Sequence, residues 1–136
     1  MTPQKGFSLI ELLLVVVIAG LIAAVAVPSL SRSRDAADNA AALVKLRSIH
    51  TSESNFRFQN LRYARLPELN EFADGAHGTI VGSTLRYKDF TFIMFPNPTN
   101  VSLQSQFQII GYRIRDGRVI AQFTMTQDGS ISTVIR

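Results

Sequence analysis

No cysteine occurs among the 136 residues. Disulfide staples, cysteine-ligated zinc and thiol nucleophiles are therefore excluded, and an exported head would have to hold together by its core alone. Histidine is nearly as scarce, with only His50 and His77. No serine, histidine and acid grouping suggests hydrolysis, and no glycine-rich loop follows a strand to cradle phosphate. Charge is sparse: 18% of residues carry it and the net is +4, which favours anionic surfaces without identifying a partner. The expectation is a protein that is not an enzyme and uses no cofactor and no metal.

Apolar sequence, by contrast, is plentiful. Hydrophobic residues make up 46% of the chain, and from Phe7 to Leu30 the only charged residue is Glu11. As a helix this stretch would be on the order of 36 Å long at about 1.5 Å per residue, enough to cross a hydrocarbon core of roughly 30 Å. The remaining chain is too small to surround it, so membrane insertion at some stage is expected. A cleaved secretory signal is one reading, with Ala24-Val25-Ala26 as its small-residue site. A plain anchor on a binding head is a second, but it leaves Glu11 without a purpose. An intramembrane carboxylate costs about 2.5–3.5 kcal/mol at the bilayer centre, less near an end, and implies a partner.

The stretch "KGFSLIELLLVVVIAGLIAAVAVP" resembles the N-terminus of type IV pilins and type II secretion pseudopilins. The resemblance implies a leader, Met1 to Gly6, cut between Gly6 and Phe7 by a prepilin peptidase on the cytoplasmic side. The same enzyme would N-methylate Phe7. Basic residues beyond the apolar run (Arg32, Arg34, Lys45, Arg47) outnumber Lys5 and lean towards the opposite orientation, but the motif is the more specific signal. Glu11 falls on the family's glutamate, fifth after the cut. Its implied role is to pair with the new α-amine of a neighbouring subunit and so set the register of docking, a use for which such pairs suit.

Gly20 and Pro28 also stand where the family often has them. Glycine costs a helix about 1 kcal/mol relative to alanine, and proline removes a donor and clashes with the carbonyl of Ala24. They read equally as tolerated kinks or, by resemblance, as the ends of a stretch that unwinds in the filament. Ala19/Ala23 and Gly20/Ala24 add spacing that permits close helix approach. Implied partners are further copies and other pilins, an inner-membrane assembly platform, and the membrane before assembly. The implied location is the inner membrane, then a surface pilus, or the periplasm for a pseudopilin.

Past the apolar run, Ala42, Leu46, Ile49, Glu53 and Phe56 recur at helical steps, with Glu53 the one polar break. The chain thus divides into leader 1–6, hydrophobic helix 7–30, amphipathic continuation 31–60 and a β-rich head 61–136. In the head, "LRYKDFTFIMF" is strand-like, with a strand expected from Phe90 to Phe95, and "QFQIIGYRIRDGRVIAQFTMT" is two strands around Asp116-Gly117, a strong hairpin signal. Asp128-Gly129 leads to a third strand. Val119, Ala121, Phe123 and Met125 alternate with polar residues, so one face can bury against the helix. The fold class expected is α+β, a long helix on an antiparallel sheet.

Three further groups invite chemistry. His50 and Glu53 have a spacing that could hold a metal, but read more simply as a polar patch. Asp116 and Asp128 belong to turns with no dense oxygen-ligand loop around them, unlike the pseudopilin whose C-terminal loop binds calcium. Arg113, Arg115 and Arg118 flank one hairpin, with Arg86, Lys88 and Arg136 placed to lie nearby. They offer a possible anion or DNA contact, or else a charged sheet edge that discourages strand addition. The lack of cysteine departs from the many pilins whose C-terminal region is closed by a disulfide.

Overall fold

The computed structural model describes residues 6–136. Helix α1 spans Leu9–Asn60 and continues through Gly20 and Pro28 without interruption. Its beginning is set by Ser8, whose carbonyl accepts from the N–H groups of Glu11 (3.1 Å) and Leu12 (3.3 Å). Two units make up the chain, one ending at Ala37 and the other starting at Asp38. In the first, α1 is apolar on all sides, and every large apolar side chain between positions 9 and 30 is at least 49% exposed. Sequence this apolar, bare in water, is the signature of a lipid-facing or helix-facing surface.

The second unit holds the remainder of α1 and the head. Here the helix buries one stripe, namely Ala42, Leu46, Ile49, Glu53 and Phe56. A short helix, α2 (Leu66–Phe72), follows, with a proline in its first turn and with Leu66 and Leu69 buried. Six strands come next: β1 (Thr79–Val81), β2 (Thr84–Tyr87), β3 (Phe90–Met94), β4 (Gln108–Arg115), β5 (Arg118–Thr126) and β6 (Ile131–Ile135). They form one antiparallel sheet in sequential order. A single turn of 3-10 helix (Ser102–Gln104) brings Leu103 into the core between β3 and β4. The α1 stripe and the inward sheet residues Leu85, Phe90, Phe92, Ile109, Phe123 and Met125 share one hydrophobic core.

This is the α+β architecture expected, with two refinements. The run "LRYKDFTFIMF" holds the strand expected from Phe90 to Phe95, as β3, and a further strand, β2, ahead of it. It folds back at Lys88-Asp89, with Lys88 at φ 53° and Tyr87 paired with Phe90, giving β2 and β3. At the β4–β5 turn both Asp116 (φ 52°) and Gly117 (φ 73°) are left-handed, as a two-residue turn matching strand twist requires. Beyond that turn the alternation slips. Arg113 pairs with Ala121 but Ile114 pairs with Val119, so Ile120 is an extra residue on β5. Its carbonyl accepts from the Arg136 N–H at 3.0 Å. The bulge turns Val119 outward, 40% exposed, while Ala121, Phe123 and Met125 stay buried.

Gly111 is required by packing, not by its backbone angles. A Cβ there would lie 2.5 Å from Cε1 and 2.7 Å from Cδ1 of Phe92, its partner across β3–β4. Phe92 is fully buried and has no room to retreat. Gly111→Ala should therefore destabilise the head by about 2–3 kcal/mol through overpacking. A denaturant melt of the variant matching that of the native chain would contradict this account.

Candidate functional site

The apolar part of α1 carries one ionisable side chain, and its geometry is simple. Glu11 Oε2 accepts from the backbone N–H of Ser8 at 2.9 Å. This is the backbone half of a capping box, in which a glutamate at the third helical position satisfies a donor that the helix leaves open. The acid also sits at the positive end of the helix dipole. Glu11 thus has a local function that spacing alone left unnoticed, and its other oxygen remains available to a second donor. Phe7, just before the cap, is 82% exposed. Gly6 has open space around its Cα, as does Gly20 within the helix. The leader residues Met1 to Lys5 lie outside the described residues.

The arginines proposed to share an anion-binding surface do not share one. Arg113 is buried, with its guanidinium 5.3 Å above the ring of Phe90. Its Nη2 donates to Asn39 Oδ1 at 3.1 Å, and its Nη1 lies 3.8 Å from Asp38 Oδ2. Lys88, from the β2–β3 turn, reaches the same Asp38 at 3.3 Å. Two cations from the sheet therefore converge on the first turn of α1 within this unit. Arg115 and Arg118 remain exposed at the hairpin end. The reason is the alternation of β4, which turns position 113 towards the helix. Asp38 and Asn39 were not singled out in the sequence, where nothing relates them to a residue 74 positions away.

His50 and Glu53 do not converge either. His50 Nε2 lies 3.1 Å from the Gln127 carbonyl oxygen. Its ring packs beside Gly129, where a Cβ would come within 3.3 Å. Glu53 turns the other way, into the core, where Oε2 accepts from the Ala64 N–H at 2.9 Å. Loss of solvent pushes the Glu53 carboxyl up to about 8; repulsion from Glu68 adds to this, while the Ala64 bond and Arg62 act against it. Glu53 is therefore mostly protonated at neutral pH. His77, in the loop before β1, is buried, with Nε2 2.9 Å from Ser52 Oγ on α1. Among the described residues no three histidine or acidic side chains cluster as metal ligands would. At the β5–β6 turn the Thr126 hydroxyl and the Ser130 N–H bond to Asp128 and hold its carboxyl down at about 2. That explains this aspartate as a turn residue.

Comparison with known proteins bears on the N-terminal segment. Residues 1–27 match the family described as the prokaryotic N-terminal methylation motif. The chain is 33% identical over 60 residues to type II secretion system core protein G of Pectobacterium carotovorum subsp. carotovorum. That stretch is 44% of this chain and 38% of the relative. It is 33% identical over 61 residues to the type IV major pilin protein PilA of Myxococcus xanthus, covering 45% of this chain and 28% of PilA. The core protein G of Klebsiella pneumoniae is 32% identical over 63 residues, 46% of this chain and 45% of that protein. The chain thus spans less than half the length of these curated relatives. No solved structure matches it. By motif, relatives and architecture it resembles the type IV pilin and type II secretion pseudopilin family.

The buried arginine yields a specific expectation. Arg113→Ala leaves Asp38 with Lys88 alone, takes the donor from Asn39 and removes the cover over Phe90, and should cost about 3 kcal/mol of head stability. Arg118→Ala, at an exposed turn, should change stability by less than about 0.5 kcal/mol. Thermal melts of the two variants side by side test the contrast, and equal effects would refute it.

Proposed function

We propose that this chain is a prepilin-type structural subunit that polymerises through its apolar helix into a filament. The observation carrying the reading is the first unit: a helix apolar on every side, preceded by Gly6-Phe7 and bearing one acid at its start. A one-sided apolar helix would suit a membrane surface or a single partner. An all-round apolar surface suits lipid first and then a bundle of identical helices, in which neighbours replace the lipid.

In this reading a peptidase cuts between Gly6 and Phe7, and Phe7 becomes the methylated N-terminus. The new amine has a reference pKa near 7.7–8.0 and is largely cationic at neutral pH. Glu11 caps its own helix through one oxygen and offers the other to the amine of an adjacent subunit. The precursor resides in the inner membrane and the product forms a surface pilus, built with the help of a membrane assembly platform. Gly20 and Pro28 bracket the part of α1 proposed to loosen during packing. DNA contact, if the filament makes any, would fall to the exposed Arg115 and Arg118 rather than to Arg113. A second reading, a short pseudopilus of the type II secretion system, is favoured by the relatives named core protein G.

The test separates capping from charge. Glutamine at position 11 keeps an acceptor for the Ser8 N–H, since either residue serves in a capping box. It cannot form the ion pair. Glu11→Gln should therefore be cleaved and methylated at native levels yet yield few or no sheared filaments. Intact-mass and N-terminal analysis of cell-surface and envelope fractions gives both readouts. Normal filaments from this variant would remove the ion-pair mechanism. A native chain still carrying Met1, or beginning after Ala26, would remove the whole proposal. Mature chain confined to the envelope would favour the pseudopilus.

A further inference from the structure

We propose that Glu53 and His77 form a pH-sensitive latch that clips the α1–β1 connection (residues 61–78) onto α1. Both side chains are buried, and each uses one polar atom to join the connection to the helix. Glu53, on α1, accepts from the Ala64 N–H in the connection. His77, in the connection, meets the Ser52 hydroxyl on α1. Ser52 and Glu53 are adjacent, so the two ties leave neighbouring positions of one helix turn and grip the connection on either side of α2. In each group the second polar atom, Glu53 Oε1 or His77 Nδ1, is buried with no hydrogen-bond partner. Such atoms are tolerable on a neutral carboxyl or imidazole and costly on a charged one.

The surroundings do not rescue the charged forms. Glu53 faces Arg62 and Glu68, but these two are bonded to each other, and Arg62 also donates to the Tyr63 carbonyl at 3.0 Å. His77 faces Lys45, a like charge to its own protonated form. The Lys45 ammonium is anchored beside it, donating to the Ala76 carbonyl at 2.9 Å and lying 4.4 Å over the ring of Tyr87. The Asn70 side chain completes the enclosure, accepting from the His77 N–H at 3.1 Å and donating to the Gly78 carbonyl at 3.2 Å.

The signs of the two titrations oppose each other. The folded Glu53 carboxyl keeps its proton up to about 8, against 4.5 when free, so its contribution is complete below 4.5 and is lost as pH rises towards 8. Burial, and then Lys45, lowers His77 below the usual 6.5, so its contribution is present above 6.5 and is lost as pH falls. Just below 6.5, closing the latch takes up a proton at Glu53 and releases one at His77, and its strength is level with pH. Above 6.5 the response of Glu53 outweighs the residual one of His77. The opening equilibrium should then rise about tenfold between pH 6.5 and 8.5. The α1–β1 connection is thus held more weakly in mildly alkaline conditions than at pH 6.5.

Amide exchange of the full chain in detergent micelles, corrected for intrinsic rates and read at pH 6.5 and 8.5, tests the latch. Protection of the Tyr63, Ala64 and His77 amides should fall about tenfold in the native chain, while β4 and β5 keep theirs. Glu53→Gln keeps the acceptor for Ala64 without ionising, and should abolish the fall. Undiminished protection, an equal fall in Glu53→Gln, or a fall shared by β4 and β5 would each overturn the proposal. Should the variant not fold, the carboxyl 13C shift of Glu53 in the native chain decides: a midpoint near 8 upholds the latch, and one near 4.5 overturns it.

Discussion

A helix that is apolar on every side cannot be satisfied by a partner that covers only one face. The head buries the stripe of α1 from Ala42 to Phe56. The large apolar side chains of residues 9 to 30 are exposed, and their removal from water is the main driving force that segment has to offer. The rest of the molecule follows from that division. The all-round apolar segment suits lipid or other helices as its surroundings, and the one-sided stripe makes α1 the floor on which the sheet is built.

The polar groups at the edges of these two surfaces carry the specificity. Glu11 marks the start of the apolar helix and closes its first turn through the Ser8 N–H. Asp38 and Asn39 mark the first turn of α1 in the head-bearing unit and receive Arg113 and Lys88 from the sheet. Glu53 interrupts the apolar stripe where the chain leaves the helix, and holds the next segment by its backbone at Ala64. An apolar residue in place of Asp38, Asn39 or Glu53 would be cheaper in desolvation but would leave the register of this part of α1 against the head less defined. The six-stranded meander needs no disulfide because aromatic residues fill its core. Phe90 lies 5.6 Å from Phe123 between ring centres, and Phe107 meets Tyr63 edge-on at 4.6 Å.

Much of this was legible from local sequence. The apolar run, its lone acid and the stripe at Ala42, Leu46, Ile49 and Phe56 are patterns of period or adjacency, which a helix converts directly into faces. The Asp116-Gly117 turn, and with it β4 and β5, follow from the left-handed angles those two residues accept. Other features depend on contacts that no local pattern encodes. The division of "LRYKDFTFIMF" into β2 and β3 rests on Lys88 adopting a positive φ that its side chain does not advertise. The loss of Val119 from the core rests on one extra residue in β5. Arg113 looked like a surface cation because its partners, Asp38 and Asn39, are far away in sequence. Nothing local ties His77 to Ser52, which is 25 residues earlier.

The sequence by itself therefore determined the class of object: a helix too apolar to be left in water, joined to a cysteine-free antiparallel head. Helical and strand periodicities are short-range properties, and they survive without knowledge of the fold. Tertiary structure alone decided which charges are buried. Glu53, His77 and Arg113 lose their solvent only when the connection and the sheet close over α1, and a residue's charge state and partners are set by what surrounds it in space.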